Sequence, residues 1–230
     1  MHPLKKQPRL TLLLTLIALL GSSQAGAITG GRAYSILVNV PTLGVTNVLV
    51  SDTGSLPPTG GFLTSEVLNA TVTGPPILFI PIAEADVATD TTMAGGVQSH
   101  SVSLTTGLDV LPNNAARVTA TVVRSEANSS CVWNYGFSTI VALTFGGLPV
   151  TVTGEPNQVV GIPGVATLTI NEQIHFIDSN TASLTVNALH LRLLTGDEVI
   201  VAHAESLVDQ CAAPLPAVTS TWSGVKARTH

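Results

Sequence analysis

The side chains able to do chemistry crowd into one stretch, Ala166 to Val208, which holds Glu172, His175, Asn187, His190, His203, Glu205 and Ser206. Folded as an antiparallel meander, this stretch lines up Glu172, Asn187 and Ser206 as one polar row across an apolar face. A buried carboxylate without partners costs several kcal/mol, so such a row must bond within itself or to nearby backbone. Two readings of it stay open. One is a structural row, or a row at the rim of the core. The other is a ligand-binding or catalytic carboxylate reached through a cleft, as in a secreted hydrolase using Glu172. On the opposite face His190 sits across from His203, and neighbours of that kind have Cβ atoms about 5 Å apart. With Glu205 or His175 close by, the pair is a weak candidate for a metal. Spacing fixes no third ligand, and zinc takes three or four, so a plain surface histidine pair is the simpler reading. No cofactor is implied.

The elements that must position these residues are three strands and two turns. ATLTINEQIHF, ASLTVNALHLRLL and EVIVAHAESLV are rich in β-branched and apolar residues, and IDSNT and TGD separate them. Gly196-Asp197 is expected to be a two-residue hairpin turn and Asp178 to Thr181 a four-residue turn. Leu168 then lies beside Leu191, Ile170 beside Leu189 and Ile174 beside Thr185, while Leu193 faces Ile200, Leu191 faces Ala202 and Leu189 faces Ala204. One face collects these apolar residues with Phe176 and Val208. The other collects Thr167, Thr169, Asn171, Gln173, His175, His190, Arg192, His203, Glu205 and Asp209. A one-residue slip would scramble the sorting. Leu184, Val186, Val201 and Leu207 break it, which implies that the polar face is partly covered.

Cys131 and Cys211 are the only cysteines. Neither has the flanks of a redox motif or a metal cluster, and an even count in an exported chain reads as a disulfide. The alternative is two free buried thiols. A bridge would tie the turn at Ser129–Trp133 to the end of the last strand.

Export is read from the beginning of the chain. Residues 1–27 have a basic start (Lys5, Lys6, Arg9), an apolar run from Leu10 to Leu20 and a small-residue cleavage pattern at Ala25-Gly26-Ala27, the marks of a helical signal peptide. The run is too short to span a bilayer, which takes about 20 residues, so the mature chain has no membrane span. Three of the nine basic residues and none of the fourteen acids leave with it, so the mature net charge is −8, with His neutral. Nucleic acid and anionic membranes need clustered cations and are excluded as partners.

Residues 28–211 read as a single domain and 212–230 as a loosely ordered tail carrying Pro214, Pro216 and Trp222. Ala33–Val40 and Val45–Ser51 are expected strands about a Pro41–Gly44 turn, and Ile77–Ile82 reads as a buried apolar run. Val97–Leu104 and Arg117–Arg124 flank a bend at Leu108–Asn114. Ser138–Phe145 and Leu148–Val152 form a hairpin about Gly146-Gly147. Glu84, Asp86 and Asp90 are expected on a short helix or loop, as solvated acids or a weak calcium site. Trp133, Tyr135 and Phe137 make a packed strand edge or a platform for stacking on carbohydrate. No long amphipathic helical period follows the signal, and strand signals recur throughout. The fold expected is an all-β antiparallel β-sandwich of about ten to twelve strands.

Four motifs occur in order: Gly31-Arg32-Ala33-Tyr34, Thr153-Gly154-Glu155-Pro156-Asn157-Gln158, Ile170-Asn171-Glu172-Gln173 and Thr185-Val186-Asn187-Ala188-Leu189-His190. Together they resemble the bacterial choice-of-anchor P family of exported surface domains, over nearly the whole mature chain. The resemblance implies an extracellular or envelope β domain and supplies no catalytic residues. The sequence ends without an LPXTG sorting motif or an apolar tail and basic stop, which favours release or non-covalent retention.

Catalytic signatures are missing: there is no G-x-S-x-G, no H-E-x-x-H and no acid pair at a decisive spacing. The leading expectation is therefore a secreted or cell-envelope module with a non-enzymatic structural, adhesive or matrix role, associating with itself or with envelope components through exposed sheet edges. A glycan- or metal-binding module and the Glu172 hydrolase are the alternatives.

Overall fold

In the computed structural model, residues 27–75 and 80–211 are described. The signal peptide, the C-terminal tail and the first part of the Ile77–Ile82 run lie outside them. The described residues form thirteen antiparallel strands: β1 (Ile28–Val40), β2 (Val45–Asp52), β3 (Gly61–Thr73), β4 (Pro81–Gly95), β5 (Gln98–Val110), β6 (Val118–Ser130), β7 (Trp133–Val141), β8 (Thr144–Phe145), β9 (Leu148–Pro149), β10 (Gln158–Ile162), β11 (Ala166–Ile177), β12 (Ala182–Leu193) and β13 (Glu198–Asp209). One sheet runs β10-β11-β12-β13-β1-β2 and the other β3-β4-β5-β6-β8-β9, with β7 also on β6. This is the expected β-sandwich with one strand more than the upper bound. The Pro41–Leu43 turn is a short 3-10 helix that ends on Gly44 in the left-handed region.

Most strands run longer than the sequence implies, because turn-forming residues are absorbed into them. Gly107 and Leu108 continue β5, so the bend begins only after Val110. Glu84, Asp86 and Asp90 lie in β4, on neither a helix nor a loop. Asp90 is fully buried, which removes the reading of three solvated acids.

A row of irregular positions crosses each sheet. Asn171, Ala188, Ala202, Ser35 and Ser51 are skipped by the pairing of β11, β12, β13, β1 and β2, and Asn171, Ala202 and Ser51 have φ of 50–53°. Asn69, Asp86, Gly107, Thr121 and Ala142 do the same in the facing sheet, with positive φ at Asn69, Gly107 and Ala142. A left-handed residue interrupts the pleat, and the side-chain alternation restarts with opposite parity. In β1, Gly31 and Ala33 are buried before the row and Ile36, Val38 and Val40 after it. In β12, Leu184 and Val186 give way to Leu189 and Leu191.

The row divides the interior. On one side lies an aliphatic core built on Ile36, Val38, Ile82, Val110, Val118, Leu168, Ile170 and Leu189. On the other side the layers meet through small and polar residues around a minor apolar cluster of Ala127, Leu184, Val186 and Ala204. Ser101 Oγ donates to Glu205 O at 2.6 Å, Ser103 Oγ donates to Tyr34 O at 3.0 Å, and Ser129 and Ser206 share a hydroxyl bond of 2.7 Å. A side chain as short as serine reaches the opposite backbone only where the sheets approach closely. Gly31 fits that approach, since a Cβ there would lie 2.4 Å from Thr92 Oγ1 and 2.9 Å from Ser101 Oγ.

Cys131 and Cys211 are disulfide-bonded with Cα atoms 5.3 Å apart, joining the end of β6 to the end of β13. No helix among the described residues is long and apolar enough to cross a membrane.

Candidate functional site

The pairing of β11 with β12 matches the sequence reading. Leu168 faces Leu191, Ile170 faces Leu189, Glu172 faces Asn187 and Ile174 faces Thr185, about a turn closed by Asp178 N donating to Thr181 O. Asp178 holds that turn by accepting from the amides of Asn180 and Thr181, both at 2.7 Å.

The pairing of β12 with β13 differs by three positions. Leu193 N donates to Asp197 O and Gly196 N to Leu193 O, so the loop is Leu194-Thr195-Gly196, with Gly196 left-handed at φ 88°. A three-residue loop of this form is a type I turn followed by a left-handed residue, and glycine serves it as readily as it serves a two-residue turn. Asp197 favours the longer loop by accepting hydrogen bonds from the hydroxyls of Thr195 and Thr42. An odd shift exchanges faces. His190 therefore faces Ile200, and Asn187 faces His203. The expected His190–His203 opposition is absent, and Ser206 leaves the row, buried between the sheets against Ser129.

What replaces the row is a polar stripe on the outer face of the six-stranded sheet. Glu172 Oε2 accepts from Asn187 Nδ2 at 2.6 Å and lies 2.7 Å from His190 Nδ1. Asn187 Oδ1 pairs with His203 Nδ1 at 2.7 Å. His203 stacks flat on Tyr34, with ring centroids 4.2 Å apart and planes 6° from parallel. Arg32 lies over the far edge of Tyr34 and clasps Asp52 through two bonds of 2.8 and 2.9 Å. Five strands thus carry one continuous chain of contacts. His190, His203, Asn187 and Tyr34 are each at most 9% exposed, covered by one another along the sheet.

The electrostatics follow from that closure. Burial pushes the Glu172 carboxyl up, but hydrogen bonds from Asn187 and His190 and the charge of Arg192 outweigh it, leaving the group below the ordinary glutamate range. His203, with its Nε2 4.0 Å from Glu205, holds that carboxyl low as well. Arg32 does the same for Asp52. Burial drives the Tyr34 hydroxyl up to about 12.

A Glu–His pair activates a nucleophile only if the second ring nitrogen faces one. His190 Nε2 is taken by Glu198 at 3.2 Å and by Arg192 Nε at 3.2 Å, although Thr169 is its opposite neighbour on β11. Among the described residues no three His, Cys, Asp or Glu side chains converge to hold a metal. His175 is turned away from the stripe, toward β7, bonding Asn134 there and Gln173 on its own strand. The apolar face predicted to hold Ile174 and Phe176 ends at the irregular row, and both are more than half exposed. Leu184, Val186 and Val201 are buried because parity changes there, not because the polar face is covered.

Sequence reasoning missed Tyr34, Arg32 and Asp52 as members of this stripe. They come from the other end of the chain, and only the pairing of β1 with β13 brings them in. Trp133, Tyr135 and Phe137 alternate along β7, an edge strand on β6. Trp133 is 44% and Tyr135 55% exposed, and Arg124 lies 5.4 Å from the Phe137 ring centre.

Fold and site together define a disulfide-bonded antiparallel β-sandwich with an outer polar stripe whose members bond one another. No protein-family model, curated protein or solved structure matches the chain.

Proposed function

We propose that this chain is an exported, non-enzymatic module of the cell envelope or extracellular matrix, structural or adhesive in role, like the choice-of-anchor P domains its motifs resemble. One observation carries the reading. The Glu172–Asn187–His190–His203 chain meets its own hydrogen-bonding needs, while the long edge strand β3 leaves its backbone row without a strand partner among the described residues. The stripe's polar groups are used up on one another, and the capacity for contact lies at the sheet margins. The signal-like residues 1–27, the mature charge of −8 and a disulfide that needs an oxidising compartment support export. Fractionation of the producing cell tests this. The protein is expected in the envelope or medium, lacking about its first 27 residues. Intact chain in the cytosol would refute it.

A second reading, glycan binding, is favoured by the aromatic strip on β7. Trp133 and Tyr135 expose their rings on one side of an edge strand, a geometry that sugars stack on. Retention on insoluble polysaccharide that disappears in Trp133→Ala/Tyr135→Ala would establish it. Equal retention of both proteins, or none, would set it aside.

A further inference from the structure

We infer that β3 pairs with β3 of a second copy, antiparallel and centred on Ser65, joining two seven-stranded sheets into one. The inference rests on the reading of this chain as an associating module and names the partner and the edge.

Three observations lead to it. First, β3 ends the seven-stranded sheet: its residues pair with β4 on one side and, among the described residues, with no strand on the other. Free edges in natural sheets are blunted by lysine, proline or shortness. Gly61–Thr73 contains no Lys, Arg or Pro, and Glu66 is its only charge.

Second, the straight part of the strand has defined ends. Gly61 has φ 144° and Asn69 has φ 52°, so regular backbone extends from Phe62 to Leu68. Ser65 is its midpoint.

Third, the side chains are symmetric about that midpoint. A twofold axis at Ser65 sets Phe62 against Leu68, Leu63 against Val67 and Thr64 against Glu66 of the other copy. Phe62 and Leu68, each 61% exposed, would cover one another twice on the outer face. Leu63 and Val67, half-buried, would do so on the inner face, where Val67 already packs against the core. Directly opposed apolar residues are the stabilising unit of a ladder. A C2 contact requires this self-complementarity, which an unrelated strand would have no reason to match. Each Glu66 falls opposite a threonine and only diagonal to its counterpart, a repulsion that salt screens. A seven-residue ladder belongs with small, reversible interfaces, so the dimer should be weak and promoted by concentration and salt.

Cysteine cross-linking on the full chain, with the Cys131–Cys211 bridge kept oxidised, reads the register directly. Ser65→Cys is expected to give a covalent dimer. Thr64→Cys and Glu66→Cys are expected to cross-link with each other far more than either does with itself. In sedimentation velocity the parent chain should show a concentration-dependent dimer that is lost in Leu68→Lys, with its circular dichroism unchanged. A parent chain that stays monomeric, as it would if residues 1–26 or 212–230 covered β3, overturns the inference. So does a dimer that survives Leu68→Lys and leaves Ser65→Cys uncross-linked. Neither result alters the cell-fractionation outcome, so failure of the pairing and failure of the envelope assignment are read separately.

Discussion

Asp90 is the residue whose burial has the largest consequence for pH. It is fully buried between the sheets, Oδ2 accepts from Ser35 Oγ at 2.9 Å, and Oδ1 has no partner. Burial, only partly offset by the hydrogen bond from Ser35 and the nearby hydroxyls of Ser103 and Ser51, raises its pKa from the usual 3.8 to about 7. The folded state therefore holds this proton over a range where the unfolded chain has released it. That contribution is complete below pH 4, declines as pH rises, and is gone above about pH 7. Asp90→Asn keeps an acceptor for Ser35 and removes the titration. Measured by guanidinium unfolding at several pH values, the stability of Asp90→Asn relative to the parent should rise by roughly 4 kcal/mol between pH 4 and 8. A difference independent of pH would show that Asp90 does not titrate in the fold. Asn187 is the second residue to probe. Its amide joins Glu172 to His203, and Asn187→Leu strands both, so thermal unfolding should register a loss of about 2–4 kcal/mol. The asparagine and the glutamate were legible as a pair from the β11–β12 turn. The histidine partners were not: His203 because the sequence could not tell which hairpin Gly196 closes, and His190 because the parity change at Ala188 brings it to the face of Glu172.

At the scale of elements, pairing was readable where a turn had one solution and unreadable where it had two. Asp178 to Thr181 fixes the β11–β12 register through its own side-chain bonds. Gly196-Asp197 suits both a two- and a three-residue loop, and Asp197 decides between them partly through the neighbouring Thr195 hydroxyl and partly through Thr42, remote in sequence. The irregular rows were hidden for a different reason. Asn171 looked like an ordinary polar strand residue, and Ala202 carries no mark of a left-handed backbone. Their trace was the misplaced Leu184, Val186 and Val201. Where the parity changes the sheets lie close, and that closeness has a test. Gly31→Ala adds one methyl between Thr92, Ser101 and the Glu205 carbonyl without asking for an unusual φ, and should lower the unfolding free energy by ~1–3 kcal/mol. Gly95→Ala, with nothing within 4 Å of the added carbon, is the control.

For the whole molecule, fold class and disulfide followed from composition, strand spacing and cysteine count, since both are set by the entire chain. The bridge spans 80 residues and fastens β6 in one sheet to the end of β13 in the other. The Cys131→Ser/Cys211→Ser chain should lose about 4 kcal/mol in urea unfolding, most of it from a less restricted unfolded state. The molecule pairs the polar groups of its outer stripe with one another and, among the described residues, leaves the β3 edge open, and Glu172 is the residue that tests this division. Groups held for catalysis tend to be tolerated at the expense of stability, so removing them leaves a protein as stable or more so. A structural carboxylate behaves in the opposite way. Equilibrium unfolding of Glu172→Gln should show a loss of about 1–3 kcal/mol, as charge-assisted bonds to Asn187 and His190 are weakened. Equal or greater stability in Glu172→Gln would contradict the account and return this carboxylate to the list of catalytic candidates.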